Sequence, residues 1–268
     1  MRKPRWTAIA VAILAATLAL ITLFRAKEPT YKGRALSNWV ISGYQNPGPE
    51  AETAIGEIGT NGIPFLLEWI QYEPAPWRAK LAATVVRIAP SAANSRLTGA
   101  ITARNRLMRA AGSEPALIAL GPPAYTANQL KEILTASGSS RSARRAAAEV
   151  LENIQPDTEI TLPIFLSALT NANSDTRRCA AWAINHFSFR HPKSPARSTI
   201  IPLLIHCLKD SEPEVVKTSI TSLVALRVDP SEVLPLLTNL LSHPSPIVST
   251  MAEASIERLV RARKVRAQ

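Results

Sequence analysis

A proline set among aliphatic residues recurs along this chain and constrains its fold more than any other feature. Counted from each proline, apolar side chains occupy the positions one before, two after and six after, a spacing that places them on one face of an α-helix. Proline is tolerated in the first turn of a helix, so each copy predicts a helix start. From 140 to 258 the repeating unit is about 33 residues long. The copies are Ile63-Pro64-Phe65-Leu66-Leu67, Leu162-Pro163-Ile164-Phe165-Leu166, Ile201-Pro202-Leu203-Leu204-Ile205 and Leu234-Pro235-Leu236-Leu237.

A basic residue marks the other helix of each unit. Arg144, Arg177 and Lys217 are each followed three, four and seven residues later by small or apolar side chains. These positions share one helical face, which we expect to be the inner face of a partner helix. The same offsets extend the pattern back toward the first proline helix, where they follow Arg78 and select Leu81, Ala82 and Val85.

Two amphipathic helices per unit, with a turn and a basic residue opening the first of them, resemble the HEAT repeat. The closest matches are Asp175-Thr176-Arg177 and Pro213-Glu214-Val215-Val216-Lys217. The resemblance covers residues 50–262 and is irregular near 91–136. It implies an all-α fold, an α-solenoid of stacked helical hairpins wound into a right-handed superhelix, which binds partners, usually proteins, without catalysis. Since one hairpin cannot bury its own apolar face, the hairpins must stack to form a continuous core.

An uncharged run of nineteen residues, 6–24, follows the basic N-terminal flank 1–5. As a helix it would be roughly 28 Å long, close to the thickness of a bilayer's hydrocarbon core. It therefore predicts a transmembrane signal anchor ahead of the solenoid. One alternative is a cleaved signal peptide, which the sequence Phe24-Arg25-Ala26 fits poorly, and another is a buried helix of a soluble protein.

Basic residues flank both ends of this run, so their number does not set its orientation. A hydrophobic segment so close to a basic N-terminus favours a cytoplasmic N-terminus. We therefore expect a single-pass membrane protein whose solenoid is extracytoplasmic, in the periplasm.

A juxtamembrane linker and short capping helix are predicted for 25–49. The Tyr-x-Gly-Arg-x-Leu-Ser-x-Trp sequence that starts at Tyr31 is similar to the segment that opens many bacterial membrane-anchored HEAT-repeat proteins. Leu36, Trp39 and Val40 are spaced to cover the exposed end of the first repeat. Alternatively, Tyr31 and Trp39 lie among lipid headgroups.

The net charge of +11 suggests a nucleic-acid-binding protein until it is located along the chain. Residues 1–34 contain seven basic residues and one acidic residue, and 257–268 contain five and one, so the body between them is nearly neutral. A basic tail is predicted for 263–268. One imbalance remains inside the body, where no acidic residue separates Arg78, Lys80, Arg87, Arg96, Arg104, Arg106 and Arg109. This cluster is either an anion-binding face or a solvated pair of basic helices.

No motif for catalysis is present. The sequence lacks His-Glu-x-x-His, paired Cys-x-x-Cys and Gly-x-Ser-x-Gly. His186 and His191 are five residues apart with no further ligand between them, so we expect helix-end and loop histidines. No catalytic residue, cofactor, metal or small-molecule substrate is predicted, and the chain is not expected to be an enzyme.

Cys179 and Cys207 lie on two helices joined by a loop centred near Lys193. Each is fourteen residues from that loop centre, so an antiparallel hairpin would bring them to the same height. In an oxidising compartment they could form a disulfide. The alternative is a pair of buried thiols that serve as small apolar side chains.

The function expected from these features is a non-catalytic, membrane-anchored scaffold that binds a protein partner. The residues expected to contact the partner are Arg78, Lys80, Arg87, Arg190, Lys193 and Arg197. The alternative is binding of nucleic acid or anionic lipid through the basic segments 78–109 and 258–266. Nucleic acid is the less favoured of these partners.

Overall fold

A computed structural model of the chain describes residues 27–121, 123, 125–154 and 160–266. The predicted anchor, 6–24, lies outside these residues. Within the described ranges no helix is both long enough and apolar enough to cross a bilayer.

The described chain begins with a small β-hairpin that leads into three helices. Strands Thr30–Tyr31 and Arg34–Ala35 pair antiparallel through a turn in which Lys32 and Gly33 both have positive φ, as the tight turns of hairpins require. The helices are α1 (Leu36–Gln45), α2 (Pro49–Ile58) and α3 (Ile63–Trp69). A 3₁₀ turn, Gly59–Gly62, separates α2 from α3.

The next segment contains two shorter helices followed by one long helix. These are α4 (Pro76–Ile88), α5 (Arg96–Ile101) and α6 (Arg104–Leu120), with a 3₁₀ helix, Pro90–Asn94, between α4 and α5. Within the stretch 91–136, α6 is continuous through Gly112 and Pro115. Gly112 is needed there, since an added Cβ would lie 2.8 Å from the Val40 carbonyl oxygen on α1.

The remaining chain alternates shorter and longer helices. The shorter ones are α7 (Thr126–Thr135), α9 (Thr161–Ala168), α11 (Arg197–Cys207) and α13 (Pro230–Asn239), the last followed by a 3₁₀ turn, Leu240–Ser242. The longer ones are α8 (Arg141–Ile154), α10 (Ser174–Arg190), α12 (Pro213–Ala225) and α14 (Pro246–Arg266).

The helices form one continuous stack. Helices α6, α8, α10, α12 and α14 contact each other in chain order, and α1, α2 and α3 pack on α6 at the N-terminal end. Each shorter helix packs mainly against the longer helix that follows it, as α11 does against α12. The predicted all-α, solenoid-like stack of helical hairpins is therefore confirmed, with one two-stranded hairpin added at its start.

The predicted inner faces are largely correct in the second half of the chain. Ala147, Ala148 and Leu151 on α8 are fully buried, as are Ala180 and Ile184 on α10. These small side chains let the longer helices approach one another closely, so the core runs along the stack without interruption.

The prediction that every proline starts a helix is wrong for two copies. Pro64 lies in the first turn of α3, but Pro202 and Pro235 lie inside α11 and α13. Helix α13 begins five residues earlier, where the Asp229 carboxylate accepts a hydrogen bond from the Ser231 amide. Both internal prolines are exposed, so water can hydrate the carbonyl that each leaves without an amide partner.

The basic residue of the longer helices has a structural role. Arg144 is buried and donates hydrogen bonds to the carbonyls of Leu134 and Ala136 at the end of α7. Arg177 donates to the Asn171 carbonyl in the same way and forms a bidentate ion pair with Asp210, at 2.7 and 2.9 Å. Through these contacts the two arginines connect neighbouring helices and loops of the stack.

The prediction of a buried inner face is wrong where it was extended back to the helix of Arg78. Leu81, expected on an inner face, is 43% exposed, and Ala82 is the only buried residue of α4. Within the described chain the substantial packing of α4 is limited to α5 and the 3₁₀ helix before it. Trp77, in the first turn of α4, is 56% exposed. Helix α4 has the periodicity of a stacked helix, but none of the described helices covers its apolar side.

Candidate binding surfaces

A basic cleft lies where α4, α5 and α6 meet. Its volume is about 670 Å³, and five arginines from three helices line it. No carboxylate is among the described residues of its wall. Guanidinium groups gathered in one wall repel one another, and an anion relieves that repulsion. The lining arginines are Arg78, Arg96, Arg104, Arg106 and Arg109.

The shape of the basic cleft depends on the junction between α5 and α6. Ala103 at this junction has φ of +50°, a left-handed conformation that alanine rarely adopts, and it turns the chain sharply. Arg78 closes the opposite wall, because its Nη1 donates to the carbonyl of Ile101 at 3.0 Å. Its guanidinium also lies 5.0 Å from the ring centre of Trp77.

An aromatic cavity of about 440 Å³ adjoins the basic cleft and shares Arg106 and Arg109 with it. Arg109 lies 5.2 Å from the ring centre of Trp69, and Arg106 lies 5.9 Å from that of Tyr72. Such cation–π contacts hold the two guanidinium groups at the shared wall. Glu28, near the start of the described chain, lines the same cavity and accepts a hydrogen bond from the Ser37 amide of α1.

The structure separates the three predicted contact residues of this region. Arg78 is half-buried in the wall of the basic cleft, whereas Lys80 and Arg87 are exposed on α4 and do not line the cleft. Arg96, Arg104, Arg106 and Arg109, which we assigned to the same basic cluster, do line it. The seven basic residues therefore form two sets, one around the cleft and one on the outer surface of α4.

A second surface, the C-terminal groove, has a volume of about 1010 Å³. It runs between the loop after α10, the turn before α13 and the last part of α14. Apolar side chains line its floor, among them Ile201, Val224 and Leu259. Its charged residues are of both signs and comprise Arg197, Arg227, Arg258, Asp229 and Glu232.

Two features of the C-terminal groove suit a binding surface. Phe189 lines it with 54% of its surface exposed, so a large aromatic ring is available to a partner. Arg227 has φ of +53°, so a bulky residue occupies a left-handed position that usually takes glycine. Conformations of this kind concentrate at functional sites.

The other three predicted contact residues lie near this groove, but they do not form one site. Arg197 lines the groove, and its Nη2 lies 3.4 Å from the Arg227 carbonyl. Arg190 instead forms an ion pair with the buried Glu152 of α8, and Lys193 is exposed on the loop. Arg258 of the predicted basic segment 258–266 lines the groove, whereas five arginines of 78–109 line the basic cleft.

The two cysteines are free and buried. Burial raises the pKa of each thiol to about 11, so both are protonated at neutral pH. Their surroundings differ: Cys179 is near Arg178 and Asp175, whereas Cys207 is near Asp210 and Ser219. The disulfide between them stays a prediction, which alkylation of the denatured, non-reduced protein would test.

In the described part of the chain, no group of three or more histidine, cysteine, aspartate or glutamate residues is placed to hold a metal ion. His186 stacks on Trp182 with ring centres 4.1 Å apart, and His191 lies 5.1 Å from Phe187.

Sequence reasoning missed most of the groove. Phe189, Arg227 and Glu232 belong to three different helices or turns, and no spacing along the chain links them. An available signal was the long loop between α10 and α11, which opens space beside α13.

No family model matches the sequence, and no curated protein matches it. Among solved structures, one that aligns with the chain is the crystal structure of an engineered protein, at 14% identity over 84% of this chain and 96% of that one, with a TM-score of 0.40. Another is human deoxyhypusine hydroxylase in complex with glycerol, at 16% identity over 84% of each chain, with a TM-score of 0.41. At these TM-scores neither a ligand nor a reaction carries over to this chain.

Proposed function

We propose that this chain is a non-catalytic scaffold of HEAT-like helical repeats, held at a membrane by residues 6–24, that binds a protein partner in the C-terminal groove. The all-α stack supports the scaffold part of the proposal, because stacked hairpins present extended surfaces without needing a reaction centre. The membrane part rests on the uncharged run 6–24.

The C-terminal groove is the observation that carries the protein partner. It combines an apolar floor, charges of both signs at its edge and the exposed ring of Phe189. An apolar centre within a polar rim is the usual composition of a protein interface. Aromatic side chains are also enriched among the residues that contribute most to protein binding.

Photo-crosslinking in the cells that produce the protein tests this proposal. A photoreactive phenylalanine analogue replaces Phe189 in the full chain, and a matched control carries it at Tyr125, which is 62% exposed and outside the groove. We expect one discrete protein adduct from position 189 and none from position 125. The adduct should be lost in the charge variant Arg227→Glu. Equal labelling from both positions, or no adduct when the analogue replaces either Phe189 or Glu232, would refute the groove as the partner site.

A second candidate function, anion binding, is favoured by the basic cleft. Five arginines around one cavity, with no carboxylate among its described lining residues, suit phosphate groups better than an apolar peptide. The alternative function expected from the sequence is binding of nucleic acid or anionic lipid. We place its site at the cleft and α4 rather than at the C-terminal helix.

Retention on immobilised heparin and on a single-stranded DNA oligonucleotide, across a salt series, tests anion binding. The variant Arg104→Glu with Arg106→Glu should elute at lower salt, because each lost phosphate contact lowers the slope of log affinity against log salt by about one. The control Lys131→Glu reverses an exposed charge on α7, away from the cleft, and should elute like the unaltered chain. Equal elution of both variants would reject the cleft as an anion site.

The location is part of the proposal. With residues 6–24 as anchor and the N-terminus in the cytoplasm, both surfaces lie on the periplasmic side. Reporters active in only one compartment, fused after Gln268, test this arrangement. A signal from the cytoplasmic reporter alone would contradict the proposed orientation. A product recovered free of membranes would contradict the proposed anchor.

A further inference from the structure

Helix α4 presents an apolar stripe to solvent. Trp77, Leu81 and Ile88 are 56%, 43% and 77% exposed, and Ile88 is the most exposed large apolar side chain of the described residues. At about 100° per residue they fall within about 40° of arc on the helix. They therefore lie on one face of the helix, where the exposed Thr84 separates Leu81 from Ile88.

The stripe faces away from the other helices that the structure describes. Ala82, the only buried residue of α4, lies about 100° or more around the helix from Trp77 and Ile88. The main packing partners of α4, in the part of the chain that the structure describes, are α5 and the 3₁₀ helix Pro90–Asn94. Large apolar side chains exposed together on one helical face suit a contact with another molecule or with a membrane.

Basic residues flank the stripe. Lys80 and Arg87 project from one side of it, Arg78 projects from the other side toward the basic cleft, and no acidic residue occurs from 74 to 113. An apolar face with tryptophan and leucine, bordered by lysine and arginine alone, is typical of helices that lie in the interface of an anionic bilayer. A protein partner would have to be both apolar and strongly acidic to match this surface.

The position of Glu28 favours the same partner. Glu28 lines the cavity whose Arg106 and Arg109 also line the basic cleft. The predicted anchor ends at Phe24, and four residues span at most about 14 Å even when fully extended. An anchor at 6–24 therefore keeps these arginines within reach of the headgroup layer.

We propose that α4 lies in the surface of an anionic bilayer, with Trp77, Leu81 and Ile88 among the lipid headgroups and acyl ends and with Lys80, Arg87 and the arginines of the basic cleft on lipid phosphates. This inference rests on the proposed anchor and names the ligand of the second candidate function. The membrane thus holds the N-terminal half of the stack at two places and leaves the C-terminal groove for a protein partner.

An environment-sensitive NBD fluorophore on Ile88→Cys tests this in the full chain. The protein is inserted in nanodiscs of POPC alone or of POPC mixed with POPG, and the chain without an added cysteine measures background labelling of the two buried thiols. The matched control carries the label on Tyr125→Cys, at an exposed aromatic position outside α4. Ile88 is so exposed that its replacement should leave folding intact, which a thermal melt verifies.

We expect the label at position 88 to shift to shorter wavelength with POPG, and to be quenched by doxyl groups on the acyl chains. The label at position 125 should do neither. Neutralising both flanking charges with Lys80→Gln and Arg87→Gln should lower the ratio of bilayer-buried to water-exposed label by about 30-fold. High salt should act in the same direction.

A label at position 88 that remains in water in POPG nanodiscs overturns the inference. A shift that appears only on adding single-stranded DNA would assign the surface to nucleic acid and also overturn it. A shift that needs no lipid and grows with protein concentration would assign the surface to a second copy of the chain, which equally contradicts the membrane contact. Retention on heparin alongside a water-exposed label would leave anion binding standing while the membrane contact fails.

Discussion

Individual side chains decide how closely the first helices approach the stack. Gly112 lies in the interior of α6, where glycine is normally unfavourable by about 1 kcal/mol relative to alanine. It is required because α1 crosses at that point, with the Val40 carbonyl 2.8 Å from where a Cβ would lie. A backbone atom cannot move aside as a flexible side chain can.

Gly112→Ala should therefore destabilise the protein by about 1–3 kcal/mol, since it forces α1 and α6 apart. The control is Gly56→Ala on α2, where nothing lies within 4 Å of the added Cβ. There the substitution should stabilise by about 0.5–1 kcal/mol. Urea unfolding of the full chain in detergent measures both, and equal stability of the two variants would contradict the packing of α1 on α6.

Glu114 provides a pH dependence of known sign. Desolvation, together with the nearby Glu149 carboxylate, raises its pKa from 4.5 to about 7, although Arg145 at 3.0 Å acts in the opposite direction. The folded protein binds this proton more tightly than the unfolded chain does. Its contribution to stability is therefore complete below about pH 4.5 and is lost as the pH rises toward 7.

Glu114→Gln should remove this dependence and stabilise the protein by about 1–2 kcal/mol at pH 8. The comparison is Glu132→Gln, at an exposed position on α7, which should keep the slope of the unaltered chain. Melting temperatures recorded between pH 5 and pH 8 would show the difference. A slope that persists in Glu114→Gln would mean that another group is responsible.

Whole helices differ in how firmly they are held. Helix α10 buries eight of its residues and contacts α8, α9 and α12, whereas α4 buries only Ala82. Buried contacts are what oppose local opening of a helix. The free energy of local opening should consequently be small for α4 and close to that of global unfolding for α10.

Hydrogen exchange should show this contrast directly. We expect the amides of α4 to exchange at the earliest times in detergent and the amides of α10 to be among the last. Protection of α4 should rise in POPG-containing nanodiscs, because the bilayer would supply the missing apolar contact. Early, lasting protection of α4 in detergent would mean that it is covered by protein.

Over the molecule as a whole, stability is a sum of contacts between neighbouring helices, as in other stacked repeats. Helix α14 closes the C-terminal end, where Val248, Ala252 and Leu259 are buried against α12 and α13. Without it, the apolar side of α12 would face water.

A chain that ends after His243 should therefore melt roughly 10 °C lower, from the lost burial of at least two large apolar side chains. It should also bind a hydrophobic dye. The control ends after Arg261 and retains Val248, Ala252 and Leu259, so its melting temperature should match that of the full chain. Identical melting of both truncated chains would argue against α14 as the end cap.

Helix type, helix count per unit and the inner faces from α8 to α12 followed from the sequence, because apolar periodicity and small residues are local properties. Ala147, Ala180 and Ile220 were assigned to buried faces from spacing alone, and all three are buried. The same rules failed at Leu81, where the periodicity is equally good. Spacing reports that one side of a helix is apolar, but it does not report what covers that side.

Tertiary packing determined which helices and side chains lie together, which the apolar periodicity could not predict. It brought five arginines from α4, α5 and α6 to one cleft, left Lys80 and Arg87 outside it, and formed the C-terminal groove from Phe189, Arg227 and Glu232 on separate elements. It also paired each short helix with the helix after it. Such arrangements depend on contacts between residues far apart in the chain, and therefore on the positions of whole helices rather than on any one segment.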